Sequence, residues 1–160
     1  MKFLNSTNED LNEIFRLYEL AIEFQKKVFD KSWLPFEREF IEAEIAEKRH
    51  WKILIDDEIA CIFSIAFEDP LIWKERGFDP AIYIHRIAVN PGFRGHKFVP
   101  KIVEWAKSYA KSKGKKFVRM DTWGDNQKLI DYYTGCGFQF LGVVTADELE
   151  KLPKPYEGIT

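Results

Sequence analysis

Nine consecutive residues, Ala81–Val89 (AIYIHRIAV), constrain the fold of this chain more than any other feature. The run is apolar on both faces, which suits a central strand covered on each side. Asn90-Pro91-Gly92 ends it. A helix is predicted over about 97–113. Its apolar stripes, Val99, Val103, Ala106, Ala110 and Phe98, Ile102, Trp105, Tyr109, both follow the spacing i, i+4, i+7, i+11. Pro100 fits such a helix only in the first turn, and Gly114 supplies its stop. A covered strand that feeds an amphipathic helix calls for layers of secondary structure around a sheet.

The rest of the chain supplies those layers. Phe3–Leu4 reads as a short strand and Ser6-Thr7-Asn8 as helix-capping residues. Leu11, Ile14, Phe15, Tyr18, Ala21 and Ile22 recur at helical spacing, which predicts a helix over about 9–27. Asp30–Pro35 breaks it. Phe36–Arg49 reads as a second helix, acidic on an outer solvated face, with His50 as a charge at its C-terminal end. Trp51–Ile55 and Ile59–Phe67 read as strands joined by a hairpin turn at Asp56-Asp57. Residues 68–80 hold two prolines and a glycine and read as a long loop. Phe117–Thr122 reads as a strand, Asn126–Cys136 as a short helix and Phe138–Val144 as a strand. The expected order is β-α-α-β-β-β-α-β-α-β, an α/β (α+β mixed) fold with a central mixed sheet flanked by helices. A length of 160 residues predicts one domain, 1–160.

Composition excludes several classes. With 46% apolar and 31% charged residues the chain is neither disordered nor collagen-like nor a disulfide scaffold. No stretch approaches the ~20 apolar residues of a membrane span, and the N-terminus lacks the apolar region of a secretory signal. Cys61 and Cys136 stand too far apart for a metal or redox spacing and read as separate thiols in a reducing compartment. The expectation is a cytoplasmic protein with no membrane partner and no metal. Charge is uneven. Residues 1–80 carry 11 basic and 18 acidic side chains, whereas Arg86–Arg119 holds ten Lys/Arg against one acid, Glu104. That stretch suggests a phosphate-bearing partner, a nucleotide cofactor or a nucleic acid. Against nucleic acid, no RNP-type aromatic strand and no recognition-helix signature is present, and half of the stretch is apolar.

Two constellations carry the chemistry. In the first, Val89-Asn90-Pro91-Gly92-Phe93-Arg94-Gly95-His96-Lys97-Phe98-Val99 joins the strand to the helix through a basic turn. Free N–H groups and the positive dipole end of a helix start form an anion site. Gly95 permits close backbone approach, and Arg94 and Lys97 add charge. A plain strand-turn-helix connection fits the same residues. In the second, Asn126 precedes Leu129, Tyr133 and Gly137-Phe138. Asn126 suits an N-cap, Leu129 and Tyr133 share a helix face, and Gly137 suits a C-terminal turn.

Together, V-x-P-x-x-R-G followed about 30 residues later by N-x-x-x-x-x-x-Y-x-x-x-G-F resembles motifs A and B of the GNAT superfamily of N-acetyltransferases. The resemblance covers about residues 51–144. It departs at Lys97 and Val99, where the family's loop carries small residues, so the wrap around a pyrophosphate bears extra bulk there. The resemblance implies a mostly antiparallel GNAT-like sheet and acetyl-CoA as co-substrate. It implies a pyrophosphate on the backbone of Arg94, Gly95, His96, Lys97, Phe98 and Val99, and a pantetheine arm beside Ile87, Ala88 and Val89. A bulge there would splay this strand from Phe117–Thr122, and an amide near Ile87–Val89 would hold the thioester oxygen. Asn126 would touch the pantetheine and Tyr133 would act as general acid. His85 or water would be the base, since Tyr83 stands where other members carry a glutamate. Aromatic residues Phe29, Trp33, Phe36, Trp73 and Phe78 would flank the acceptor, or simply pack. Asp121 and Asp125 would suit an ammonium. The implied reaction is direct attack of a primary amine, on a small molecule or a peptide. The alternative is a non-catalytic acyl-CoA-binding module of the same fold. The family's final strand would have to come from Lys151–Thr160, where Pro153 and Pro155 make a poor start. That strand is then short, absent, or contributed by a partner chain in a homodimer.

Overall fold

A computed structural model describes residues 1–28, 32–69, 73, 79–121 and 127–139. In chain order the elements are β1 (Lys2–Asn5), α1 (Leu11–Val28), α2 (Arg38–Ala46), β2 (His50–Ile55), β3 (Glu58–Ala66), β4 (Ala81–Val89), α3 (Phe98–Ser112), β5 (Phe117–Met120) and α4 (Gln127–Gly135). The strands form one five-stranded sheet in the order β1-β2-β3-β4-β5, so β4 is an interior strand with a neighbour at each edge. β1 pairs antiparallel with β2, and β2 with β3. The expected mixed α/β architecture is the observed one. The final strand expected at Phe138–Val144 and the tail Lys151–Thr160 lie outside the described residues, apart from Phe138 and Gln139, which are not in a strand.

The chain packs as two compact units. One comprises Met1–Ile65 and Ile84–Phe98; the other comprises the described residues of Ala66–Tyr83 and Val99–Thr160. In the first, α1 buries Leu11, Ile14, Leu17 and Tyr18 against Phe36, Ile41, Ile62 and Ala88. Full burial of each large side chain is worth about 1.5–3 kcal/mol, enough to hold an 18-residue amphipathic helix down. Gln25, buried near the end of α1, accepts the Trp33 N–H at 2.8 Å and so ties the segment before α2 to the helix. The helix begins two residues later than its apolar periodicity suggests. Asn8–Asp10 winds as a 3-10 turn, because the Asp10 carboxylate takes the Thr7 N–H at 2.8 Å and Lys52 Nζ at 2.7 Å. In the second unit, α3 buries Val99, Ile102, Val103, Ala106 and Ala110. Its end is set by Gly114 in the left-handed region at φ 70°, with Lys115 N–H reaching back to the Ala110 carbonyl at 2.8 Å. Among the described residues no helix is long and apolar enough to cross a membrane.

The expected hairpin turn is present, and it is strained. Asp56 and Asp57 both lie at positive φ, 51° and 64°, the geometry a two-residue hairpin takes and one for which glycine is preferred. Asp57→Gly is expected to stabilise the protein by about 0.5–1 kcal/mol, because left-handed strain relieved exceeds the entropy glycine adds to the unfolded chain. A thermal midpoint raised by about 2 °C would show it; a lowered midpoint would show the turn depends on the aspartate side chain.

His50 departs from expectation. It does not close a helix as a charge but opens β2, with none of its surface exposed. The helix before it stops at Ala46, and Lys48 turns the chain at φ 59°. His50 Nδ1 lies 2.7 Å from Ser6 Oγ and Nε2 2.9 Å from the Tyr18 hydroxyl. Burial, reinforced by the charge of Arg86, pushes its pKa down to about 3, so the ring is neutral.

Candidate active site

The site is built from β4 outwards. Along β4 the alternation expected of a strand gives way, and Ala81 to Arg86 are all buried. At Arg86 the backbone crosses into the left-handed region, φ 50°. A non-glycine residue held there costs about 1–3 kcal/mol and persists only where its surroundings over-determine it. The kink lies immediately before Ile87, Ala88 and Val89, the segment expected to carry an acyl arm. Ala88 is buried in the core of the first unit, and Ile87 and Val89 are half-buried. Asn90 then fastens the end of β4. Its N–H bonds the Ala60 carbonyl at 2.8 Å, its side-chain amide donates to the Ile59 carbonyl at 2.9 Å, and its side-chain oxygen accepts the Gly92 N–H at 3.2 Å. The sequence reading treats Asn90 as a strand terminator only. Its use of three bonds makes it the residue that aims the following turn.

That turn is the segment expected to hold an anion. Pro91–Phe93 forms a single 3-10 turn. Gly95 and Lys97 follow in the left-handed region, at φ 92° and 53°. Residues Arg94, Gly95, His96 and Lys97 are exposed, and Phe98 and Val99 are buried anchors at the start of α3. The opening amides of α3 have no helical carbonyl before them. Lys97 therefore does more than add bulk where the family carries a small residue: it occupies a backbone conformation that glycine adopts freely. Arg94 stacks its guanidinium 4.7 Å from the ring centre of Phe24 on α1, and His96 stacks on Phe98 at 5.7 Å.

In the second unit, the Tyr133-x-x-x-Gly137-Phe138 spacing is a helix ending. Gly137 sits at φ 104°, and Phe138 N–H bonds the Tyr133 carbonyl at 3.2 Å. The two rings meet edge to face at 6.5 Å. A left-handed cap with this contact orients the tyrosine without involving its hydroxyl. Burial, with lesser contributions from Tyr132, Cys136 and Asp121, pushes the Tyr133 pKa up to about 12, so the phenol is protonated at neutral pH. Also in this unit, Arg119 donates to the Tyr83 hydroxyl at 3.0 Å and to Asp79 at 2.9 Å, and lies 5.1 Å from the Trp73 ring centre.

Other expectations divide. His85 is buried, and desolvation, aided by the charges of Arg86 and Arg49, lowers its pKa to about 3. It is neutral at pH 7, but titration near neutrality is not among its properties. Trp33 and Phe36 pack against Tyr18 rather than standing free. Glu44 is not on a solvated face: it is buried and ion-paired to Arg86. Burial pushes the Cys61 thiol up, which leaves it inert. Asn126, Asp125, Phe29 and Phe78 lie outside the described residues.

The pairing of Glu44 with Arg86 and the side-chain bonds of Asn90 are not marked by any sequence pattern. A charged residue inside an apolar central strand was the available signal for Arg86, since such a charge must find a partner.

Comparison with known proteins identifies the family. The profile of the acetyltransferase (GNAT) family matches residues 9–138. An uncharacterised N-acetyltransferase, YesJ of Bacillus subtilis, is 28% identical over 91 residues, which are 54% of this chain and 51% of that protein. The chain thus spans about half the length of this curated relative. A GNAT-family acetyltransferase of Listeria monocytogenes has the same fold, with a TM-score of 0.79 and 22% identity over 89% of this chain and 88% of that one. An aminoglycoside antibiotic 6'-N-acetyltransferase of Acinetobacter haemolyticus superposes with a TM-score of 0.60 and 19% identity over 91% of this chain and 95% of that one. The chain belongs to the GNAT family of acetyltransferases.

Proposed function

We propose that the protein transfers an acetyl group from acetyl-CoA to a primary amine, by direct attack in a ternary complex. The observation that carries this reading is the turn at Arg94–Lys97. It has two left-handed residues, an open helix start and exposed cations, directly after a kinked strand. These residues fit a diphosphate, because main-chain N–H groups and a fork-shaped guanidinium recognise phosphate oxygens. Lys97 adds charge at the same place.

Acetyl-CoA supplies the activated acyl group. The chain's residues do the rest. Arg94 to Val99 would hold the pyrophosphate. Amides of Ile87–Val89 would pair with the pantetheine as an added strand edge and stabilise negative charge on the thioester oxygen. Asn126 would contact the pantetheine. Tyr133 would deliver its proton to the departing sulfur.

The acceptor must be neutral to attack, and an alkyl ammonium has a pKa of about 10.4. A buried imidazole with a pKa of about 3 cannot keep such a proton, so the ammonium loses it to bulk solvent along a water chain before attack. His85 is then a neutral hydrogen-bonding wall and not the proton's resting place. An aminoglycoside acetyltransferase among the structural neighbours makes polyamines a sensible first panel.

The test is calorimetry with acetyl-CoA together with thiol release over a panel of small amines, aminoglycosides and peptides. Expected are micromolar-range binding and turnover on at least one amine. Tight binding without turnover on any amine would leave an acyl-CoA-binding module instead. Arg94→Ala is expected to raise the acetyl-CoA dissociation constant about 10- to 100-fold, the loss of one charge-assisted contact. An unchanged constant would dismiss the phosphate role of the turn.

A further inference from the structure

Arg86 is not part of the binding turn, yet its side chain is buried and ion-paired within the first unit. Its Nη2 donates to Glu44 of α2 and, at 2.7 Å, to Ser64 Oγ of β3. The guanidinium lies against the rings of Phe36 and Phe40, 5.1 and 4.9 Å from their centres. Glu44 is also 3.8 Å from Arg49. Tyr18 of α1 packs on the other partner of this cluster, its ring 4.9 Å from that of Phe36. The Tyr18 hydroxyl is also 2.9 Å from His50 Nε2, whose Nδ1 is 2.7 Å from Ser6 Oγ. Side chains of α2 and β3 thus meet one arginine of β4 directly, and Tyr18 of α1 does so through Phe36.

All of them meet at the position where the β4 backbone is left-handed. A solvated arginine gains nothing from that conformation. A buried, ion-paired one must follow its guanidinium, and the surrounding anchors outweigh the steric cost at Cβ.

We propose that Arg86 is a positioning residue: its pairing with Glu44 and Ser64 holds the kink in β4, and the kink sets how the Ile87–Val89 amides are presented to an acyl-CoA. The second clause rests on the cofactor reading above; the first does not. The pair also makes α2 and β4 one mechanical unit, so a change at Phe36–Ala46 is felt at the acyl-binding strand.

Two double variants separate this role from plain stability. Glu44→Gln/Arg86→Met removes both charges together and leaves an unanchored non-glycine residue at the kink. Glu44→Gln/Arg86→Gly removes the same charges but permits the left-handed backbone. Hydrogen exchange over residues 84–90, measured without ligand, is expected to rise about tenfold more in the methionine variant than in the glycine variant. Exchange over β2 should be alike in both. Acetyl-CoA affinity is expected to fall about tenfold in the methionine variant and to stay within about threefold of wild type in the glycine variant.

Equal exchange over 84–90 in the two variants overturns the proposal. Unequal exchange with equal affinity overturns its second clause. If the wild-type protein binds no acetyl-CoA, the cofactor reading fails and exchange alone decides the clamp. Ser64→Ala removes one anchor and no charge, and is expected to raise exchange over 84–90 about threefold. Should a double variant not fold, an unchanged rate in Ser64→Ala overturns the clamp.

Discussion

Tyr133→Phe is expected to lower kcat by about 10²- to 10³-fold, the range for removing a positioned general acid, while the acetyl-CoA dissociation constant changes less than about threefold. The substitution deletes one oxygen and leaves the ring. The ring is held by means that do not use that oxygen: Gly137 at φ 104°, the Phe138 N–H on the Tyr133 carbonyl, and the edge-to-face contact with Phe138. The helix end should therefore survive the change. With a pKa of about 12 the hydroxyl carries its proton at every working pH. Steady-state thiol release gives kcat, and calorimetry gives the binding constant. An unchanged kcat would remove the acid role and assign the leaving thiolate's proton to solvent. A fall in affinity that matches the fall in rate would instead make Tyr133 a binding residue.

Lowering the pH from 7 to 5 is expected to cost the folded protein about 4 kcal/mol. The cause is two imidazoles, His50 and His85, both buried and both depressed to about 3 in the fold. In the unfolded chain each titrates near 6.5. Between those values the unfolded state binds more protons than the folded one, so stability is fully present above pH 6.5 and falls as the pH drops toward 3. Each ring contributes about 2 kcal/mol of the loss by pH 5, a large part of the 5–15 kcal/mol that holds an ordinary domain together. Urea titrations at the two pH values check it, with an expected drop in midpoint of about 2 M for an m-value near 2 kcal/mol/M. An equal midpoint at pH 7 and 5 would refute the neutral, desolvated state of both rings.

The same two histidines show where reading from residues alone succeeds and where it stops. His85 is correctly placed inside a central strand, because strand patterning is local. Its reference pKa near neutrality did not survive burial, because desolvation depends on what packs around the ring. His50 follows a helical stretch in the sequence, where a terminal charge is expected. The helix ends earlier, and the ring is claimed by Ser6 and Tyr18, which are 44 and 32 residues away. Glu44 has the same history. Its neighbours Glu42 and Glu47 are exposed or partly so, and only the partner on β4 distinguishes it from them.

Features with local causes were legible in full. The strand Ala81–Val89, the hairpin at Asp56-Asp57, the stop at Gly114 and the cap at Gly137 each follow from apolar period or from a residue's own φ preference. The joint spacing of the Arg94-Gly95 turn and the Tyr133-Gly137-Phe138 helix end was enough to identify the family. The kink at Arg86, the neutrality of His50 and His85, and the burial of Glu44 came only with tertiary structure. Each is an energy balance between groups tens of residues apart, in which desolvation and pairing override what the same side chain would do in water.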